Sequence, residues 1–167
     1  MDLKEFESFK TANYVRHPWE SARVLIMKRL FDSFYIKKNK KSKLVLDVGC
    51  GDGYFVSHLA LNFPEYRFIG MDLNFNKEDI ELLTKLYPYE NLAFINESHN
   101  KLNNLVGCVL LMDVLEHIDR DEKFFNNLIE SNKMSGDATF IITVPAFNAL
   151  FSSHDQSLDH FRRYNVN

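Results

Sequence analysis

The segment Leu44-Val45-Leu46-Asp47-Val48-Gly49-Cys50-Gly51-Asp52-Gly53 constrains this chain more than any other stretch. A short run of leucine and valine has strand character and ends in three glycines at alternate positions. The residues after it, 54–63, read as a helix stopped by Pro64. Strand, tight glycine turn and helix start, in that order, bring bare main chain to a helix N-terminus, where a nucleotide-like ligand can approach closely. The spacing is G-x-G-x-G. A dinucleotide fingerprint, G-x-G-x-x-G, needs glycine at position 54, and Tyr54 stands there.

Strand and helix patterns alternate through the rest of the chain. Strand one covers 43–48, and segments 66–72, 91–96, 105–112 and 137–144 read as strands two to five. Between strands two and three, 77–87 reads as a helix with Ile80, Leu83 and Tyr87 on one face. Residues 98–104 form a loop or short helix. Asp119 with Glu122 three residues on predicts a capping box, opening a helix with Phe124, Phe125, Leu128 and Ile129 on its apolar face and Gly136 as its stop. Ahead of strand one, Pro18 suits a first helical turn. The spacing of Ala22, Leu25, Ile26, Leu30 and Phe34 predicts the buried face of a helix over 19–35. Strands one and four are apolar nearly throughout, as parallel strands covered on both faces are. The expected fold is α/β, a Rossmann-like doubly wound, mostly parallel sheet, with residues 1–42 as an N-terminal helical cap and 43–167 as the ligand-binding domain.

Bulk properties exclude several function classes. A formal charge of −3 gives no electrostatic footprint for nucleic acid, and the run Lys37-Lys38-Asn39-Lys40-Lys41-Ser42-Lys43 reads as a solvated linker. Cys50 and Cys108 are the only cysteines and lie in different segments, which argues against a disulfide framework or a cysteine zinc site. No run approaches the length of a membrane span, and residues 1–10 lack a continuous apolar core of a leader peptide. A soluble, cytoplasmic protein without a membrane span is the expectation.

In a doubly wound sheet the ligand sits at the carboxyl ends of the strands. Strand one delivers the glycine turn, with Asp47 just inside it as a group that can fix the loop or attract a cation. Strand two ends in Asp72, 23 positions after Gly49, where a carboxylate can accept hydrogen bonds from both ribose hydroxyls, and Leu73 beside it offers an apolar wall for adenine. Strand three ends in Asn96-Glu97-Ser98, polar enough to reach an adenine amino group. Strand four ends in Met112-Asp113-Val114-Leu115-Glu116-His117-Ile118. His117 there is a candidate base. Asp and His this close also suggest a metal, but no second compact ligand pair lies nearby in the chain, and none is expected. After strand five, 152–164 reads as a substrate lid in which His154, His160, Arg162 and Arg163 can bind an anionic group.

These residues together resemble class I S-adenosylmethionine-dependent methyltransferases. Residues 46–53 are similar to the family's first motif, and Gly70-Met71-Asp72 to its second. Asp113-Val114-Leu115-Glu116-His117-Ile118, Thr143-Val144-Pro145-Ala146 and His160-Phe161-Arg162-Arg163-Tyr164 resemble the small-molecule branch related to ubiquinone-biosynthesis methyltransferases. The resemblance implies S-adenosylmethionine as cofactor, with Asp47, Gly49, Cys50, Gly51 and Gly53 around its methionine part. It also implies Asp72 on the ribose, Leu73 and Glu97 around adenine, and Asp113 and Val114 near the sulfonium. His117 and, second, His160 are the catalytic candidates, and Tyr14 is implied as a closing group. The implied reaction is in-line methyl transfer to a small acceptor, polar or anionic.

Two departures from the family pattern matter. Asp159 stands where this branch often has glycine. The family sheet also has two further strands beside strand five, which 167 residues leave no room for; a further C-terminal segment or a second copy of the chain is expected to cover that edge. Two rival readings are carried along: a non-catalytic S-adenosylmethionine or S-adenosylhomocysteine binder or scaffold, and a nicotinamide-dependent oxidoreductase. Tyr54 and the lack of a Tyr-x-x-x-Lys pair argue against the latter.

Overall fold

Five strands, β1 (Leu44–Val48), β2 (Arg67–Met71), β3 (Leu92–Ile95), β4 (Val106–Met112) and β5 (Met134–Thr143), form one sheet in the order β3-β2-β1-β4-β5. Every pairing in it is parallel. The computed structural model describes residues 16, 18–38, 40–131 and 133–166; Tyr14 lies outside them. Helices α1 (Pro18–Phe31), α2 (Tyr54–Asn62), α3 (Lys77–Leu86), α4 (Asp121–Ile129) and the short α5 (Ser153–Ser157) complete the described elements, with single helical turns between them.

The strand pattern explains the two-sided core. In β4, Cys108, Leu110 and Met112 join one cluster with Phe31 of α1, Val56 and Leu59 of α2, and Leu83 of α3. Val109 and Leu111 face the other way, into a cluster with Leu46 and Val48 of β1 and Leu128 of α4. Successive side chains point to opposite faces, so a strand apolar at every position needs cover on both. All of β1 and β4 is buried, whereas β5 at the edge is largely half-buried.

Three details differ from the sequence expectations. First, α1 buries Val24, Met27 and Phe31, continued by Tyr35 in a single wide turn over Asp32–Ile36, while Leu25, Ile26 and Phe34 are exposed. Both faces of this helix carry apolar residues, so periodicity alone does not choose between them. Aromatic packing does: Phe31 lies 5.0–6.0 Å from the rings of Tyr35, Phe63, Tyr66 and Phe68. Second, α4 begins at Asp121 with Arg120 as its cap residue and no side-chain cap, so the Asp119–Glu122 box is not formed. Third, Gly136 lies within β5, which starts at Met134, rather than ending a helix.

Candidate functional site

At the carboxyl ends of the strands lies a crevice of about 640 Å³. It is lined by Val48 and Gly49 from β1, Met71 to Asn74 from β2, Ser98 to Asn100 after β3, Asp113, Val114 and His117 after β4, and Leu158, Asp159 and Phe161 from the last segment. A second hollow of about 830 Å³ sits at the opposite end of the sheet, among strand starts such as Leu44, Arg67 and Leu92, and receives nothing from the glycine turn. In a parallel α/β sheet the chemistry belongs to the first of these two ends.

The turn is held by main chain. Gly49 N and Cys50 N both donate to Met71 O, at 2.7 and 3.2 Å, and Gly53 N donates to Cys50 O at 3.0 Å. Gly49, Gly51 and Gly53 have φ of 70°, 54° and 70°, the left-handed region that costs a side-chain-bearing residue most. A Cβ on Gly49 would stand 2.8 Å from Val114 Cγ2, and one on Gly53 2.6 Å from the Phe94 ring. Of this group Gly49 lines the crevice; Cys50, Gly51 and Gly53 shape the turn without lining it. Cys50 is buried against Gly70, and burial pushes its thiol well above the ordinary range.

Two carboxylates flank the turn. Asp47 is 1% exposed, and its Oδ1 has no hydrogen-bond partner among the described residues. Burial, then the charges of Asp72 and Asp52, push its pKa up to about 7. Asp52 Oδ1 accepts from Tyr54 N, at the first residue of α2, at 3.1 Å, while its other oxygen pairs with Arg16. Arg16 also donates to Glu20 Oε1 at 2.9 Å and lies 3.6 Å over the Tyr54 ring. Burial raises the Asp52 pKa against the pull of Arg16.

Asp72 and Leu73 both line the crevice, and Leu73 is 67% exposed, an apolar side chain left bare at its wall. Asp72 Oδ1 accepts from Asn74 N at 3.0 Å, which fixes the carboxylate in its turn. Glu97 is not among the lining residues; its carboxylate stands 3.5 Å from Lys101 Nζ. Ser98, His99 and Asn100 line that wall instead. His99 Nε2 is buried with no hydrogen-bond partner among the described residues, and burial lowers the pKa of the ring, which favours the neutral form.

Beyond β4 the side chains take over. Asp113, at φ 54°, accepts from Thr143 Oγ1 at 2.9 Å and is paired with Arg23 of α1, whose guanidinium also donates to Thr143 Oγ1 at 3.1 Å. This triangle ties the N-terminal helix to the ends of β4 and β5. The turn Leu115–His117 follows. Glu116 is 1% exposed, its Oε2 has no hydrogen-bond partner among the described residues, and burial, then the charge of Asp113, pushes its pKa up to about 7. Phe161 N donates to Glu116 O at 2.8 Å, bringing His160 beside His117 with ring centroids 4.6 Å apart.

His160 does not line the crevice, but it is held in place. Its Nδ1 meets Asp155 Oδ1 at 3.2 Å, and a carboxylate only accepts, so Nδ1 carries the proton. Arg163 grips both Asp155 oxygens, at 2.7 and 3.0 Å, and Ser152 N donates to Oδ2 at 2.9 Å. The Arg163 guanidinium holds the Asp155 carboxyl well below the usual carboxylate range. Arg162 and Arg163 are therefore engaged inside the protein, Arg162 with Asp121. Sequence reasoning did not single out Arg16, Arg23, His99 or Asp155, and it named Thr143 only as part of a motif. Only Asp155 carried a local signal, the Ser152-x-x-Asp155 capping box.

The profile of a methyltransferase domain matches residues 19–165. An N-methyltransferase 4 from Papaver somniferum is 24% identical over 125 residues, covering 72% of this chain and 35% of the relative. A ubiquinone biosynthesis O-methyltransferase from Rickettsia canadensis is 27% identical over 152 residues, covering 81% and 61%. The chain thus spans less than two thirds of the length of these relatives. Among solved structures, the plantazolicin methyltransferase BpumL with a desmethyl plantazolicin analogue and S-adenosylhomocysteine superposes with a TM-score of 0.65 at 17% identity, covering 92% of this chain and 56% of that one. Coclaurine N-methyltransferase with N-methylheliamine and S-adenosylhomocysteine does so with 0.61 at 16% identity, covering 87% and 44%. A profile matching nearly the whole chain, on a five-stranded parallel sheet with its crevice at the glycine turn, places this chain in the methyltransferase domain family.

Proposed function

We propose that the crevice binds S-adenosylmethionine and that the chain transfers its methyl group to a small polar or anionic acceptor. The observation that carries this reading is one crevice of small-molecule size that gathers Gly49 of the glycine turn, Asp72, Leu73 and Asp113. The solved neighbours named above hold S-adenosylhomocysteine, which supports it.

Gly49, Cys50, Gly51 and Gly53 provide the close main chain, and the unpartnered Asp47 oxygen suits an ammonium group. Asp72 takes the ribose hydroxyls, and Leu73 covers one face of adenine. The neutral His99, rather than Glu97, is placed to meet the ring's polar edge. Asp113 and Val114 flank the reacting centre. Helix α1 acts as a cap, pinned by the Arg23–Asp113 pair. When bound, the cofactor supplies a methyl already activated by a positive sulfur. The protein's task is then to align the acceptor, exclude water and ease loss of the acceptor's proton. His117 and His160 stand at the acceptor end, where imidazoles lower the cost of that proton's departure.

Titration calorimetry with S-adenosylmethionine and S-adenosylhomocysteine tests the reading. Binding of both is expected, with Asp72→Ala weakening it by roughly 10- to 100-fold, the worth of one or two hydrogen bonds to a charged acceptor. Absence of binding to the wild-type chain, or equal affinity for NADH, overturns it. A screen of acceptors for homocysteine release then names the class.

A further inference from the structure

We propose that Asp155 is a positioning residue for proton removal: it fixes His160 with the lone pair on Nε2, so that His117 at the crevice and His160 behind it carry the acceptor's proton inward. Resting on the methyltransferase reading, this assigns the acceptor's class: a molecule whose attacking atom is a hydroxyl oxygen or another atom with a proton to lose, not a tertiary amine or a thioether.

His117 lines the crevice and His160 does not. Their ring centroids stand 4.6 Å apart, with the ring planes at 84°. One ring nitrogen of each, with one oxygen of Glu116, lies within 4.8 Å of the others, a gap that a side-chain rotation closes or one water spans. The pair leads from the crevice wall into the protein, where the His160 side chain is 11% exposed and that of Asp155 1%. Phe161 N donates to Glu116 O at 2.8 Å, which holds the His160 segment against the turn that carries His117.

The tautomer follows from the donors around Asp155. Its Oδ1 accepts from Arg163 Nε at 2.7 Å and from His160 Nδ1 at 3.2 Å. Its Oδ2 accepts from Arg163 Nη2 at 3.0 Å, Ser152 N at 2.9 Å and Ser152 Oγ at 3.2 Å. An ionised carboxylate only accepts, so His160 keeps its proton on Nδ1, and Nε2 is the nitrogen left to serve His117. Arg163 already meets the charge of Asp155, so the carboxylate acts on His160 through direction more than through field.

The proton path balances. The acceptor's hydroxyl proton passes to His117, and the proton on the other His117 nitrogen passes to His160 Nε2. The acceptor oxygen keeps the electron pair of the broken O–H bond and uses it to bond the methyl carbon; the S–C bond breaks and sulfur keeps that pair. The positive charge lost at sulfur reappears on the His160 ring, beside Asp155.

The test uses the chain with ¹⁵N-labelled histidine and a long-range ¹H–¹⁵N spectrum at about pH 9, where imidazoles are neutral. His160→Gln assigns the signals. In the wild type, Nδ1 of His160 is expected protonated and Nε2 bare. Asp155→Asn should reverse this. Oδ2 meets three donors and Oδ1 two, so the asparagine oxygen takes the Oδ2 place. Its amide nitrogen then donates to His160 Nδ1 and moves the ring proton to Nε2. In that variant kcat for homocysteine release, on an acceptor the wild type methylates, should fall at least about 10-fold, while KM and S-adenosylhomocysteine affinity stay within about twofold. A wild-type His160 protonated on Nε2 overturns the proposal, and that spectrum decides even if Asp155→Asn fails to fold. A reversed tautomer with wild-type kcat overturns it too. The expected tautomer in a chain that does not bind S-adenosylhomocysteine keeps the Asp155–His160 arrangement and removes the methyltransferase reading, so the two failures are distinct.

Discussion

Where Gly49 and Cys50 both donate to one carbonyl and a single methyl group would block the turn, the other end of the crevice hangs on Asp155, whose oxygens collect hydrogen bonds from Arg163, His160 and Ser152. The first end is main chain packed on a buried strand. The second is a web of charged side chains carried by loops. The difference teaches a division of labour. A ligand read by backbone leaves little freedom to vary, while a loop web can change its specificity without touching the sheet beneath it.

The comparison breaks most easily at Gly49. Strain at positive φ costs roughly 1–2 kcal/mol and overlap with Val114 roughly 1–3 kcal/mol, so Gly49→Ala should lower S-adenosylhomocysteine affinity at least about 30-fold or unfold the chain. Calorimetry and a thermal melt on the same sample separate the two. An unaffected affinity would show that main chain is not what reads the ligand.

Acidity probes both ends at once. Burial pushes the folded pKa values of Asp47 and Glu116 up to about 7, well above the ordinary carboxylate range. Between those limits the folded state holds protons that the unfolded chain has lost, so stability falls as pH rises from 4 to 7 and levels above it. Asp155 works in the opposite sense: its folded pKa is depressed, so its contribution is present above about pH 4 and is lost as pH falls further. Asp47→Asn should flatten the decline between pH 4 and 7, visible in thermal melts at pH 5, 6, 7 and 8; an unchanged slope would mean that Asp47 is ionised without cost.

Asp159 sharpens the loop side. Its φ is 58°, a conformation in which glycine is unstrained and aspartate tolerable. Asp159→Gly should leave stability within about 0.5 kcal/mol, and Asp159→Val should cost roughly 1–2 kcal/mol, read as a shift in the denaturation midpoint with the S-adenosylhomocysteine affinity little altered. The smallest effect is expected at Leu73. Leu73→Ser removes exposed apolar surface that a ring would cover, weakening S-adenosylhomocysteine several-fold without lowering the melting temperature.

Legibility in the sequence follows the same divide. The strands, their order of appearance and the glycine turn are local patterns, readable because a parallel strand apolar on both sides and a turn with three glycines are written in consecutive residues. Asp72 and Leu73 are legible from spacing alone and do stand in the crevice with Gly49. The buried face of α1 was not, because Leu25, Ile26 and Phe34 fit a helical stripe as well as Val24, Met27 and Phe31 do. Only the rings of Tyr35, Tyr66 and Phe68 settle which stripe turns inward. Arg23 meets Asp113 across 90 positions, and His160 meets Glu116 across 44; no local pattern announces such pairs. Glu97, singled out as the polar residue after β3, is drawn to Lys101 one helical turn away.

The backbone hydrogen bond from Phe161 N to Glu116 O closes a long excursion of chain. The glycine turn and the two strands beside it are complete once β4 ends at Met112, whereas Asp155 and Arg163 follow more than 40 residues later. On a ribosome adding about 5–20 residues per second, the stretch between leaves several seconds of synthesis. A nascent chain can therefore form its backbone turn before it owns the side chains of the loop web.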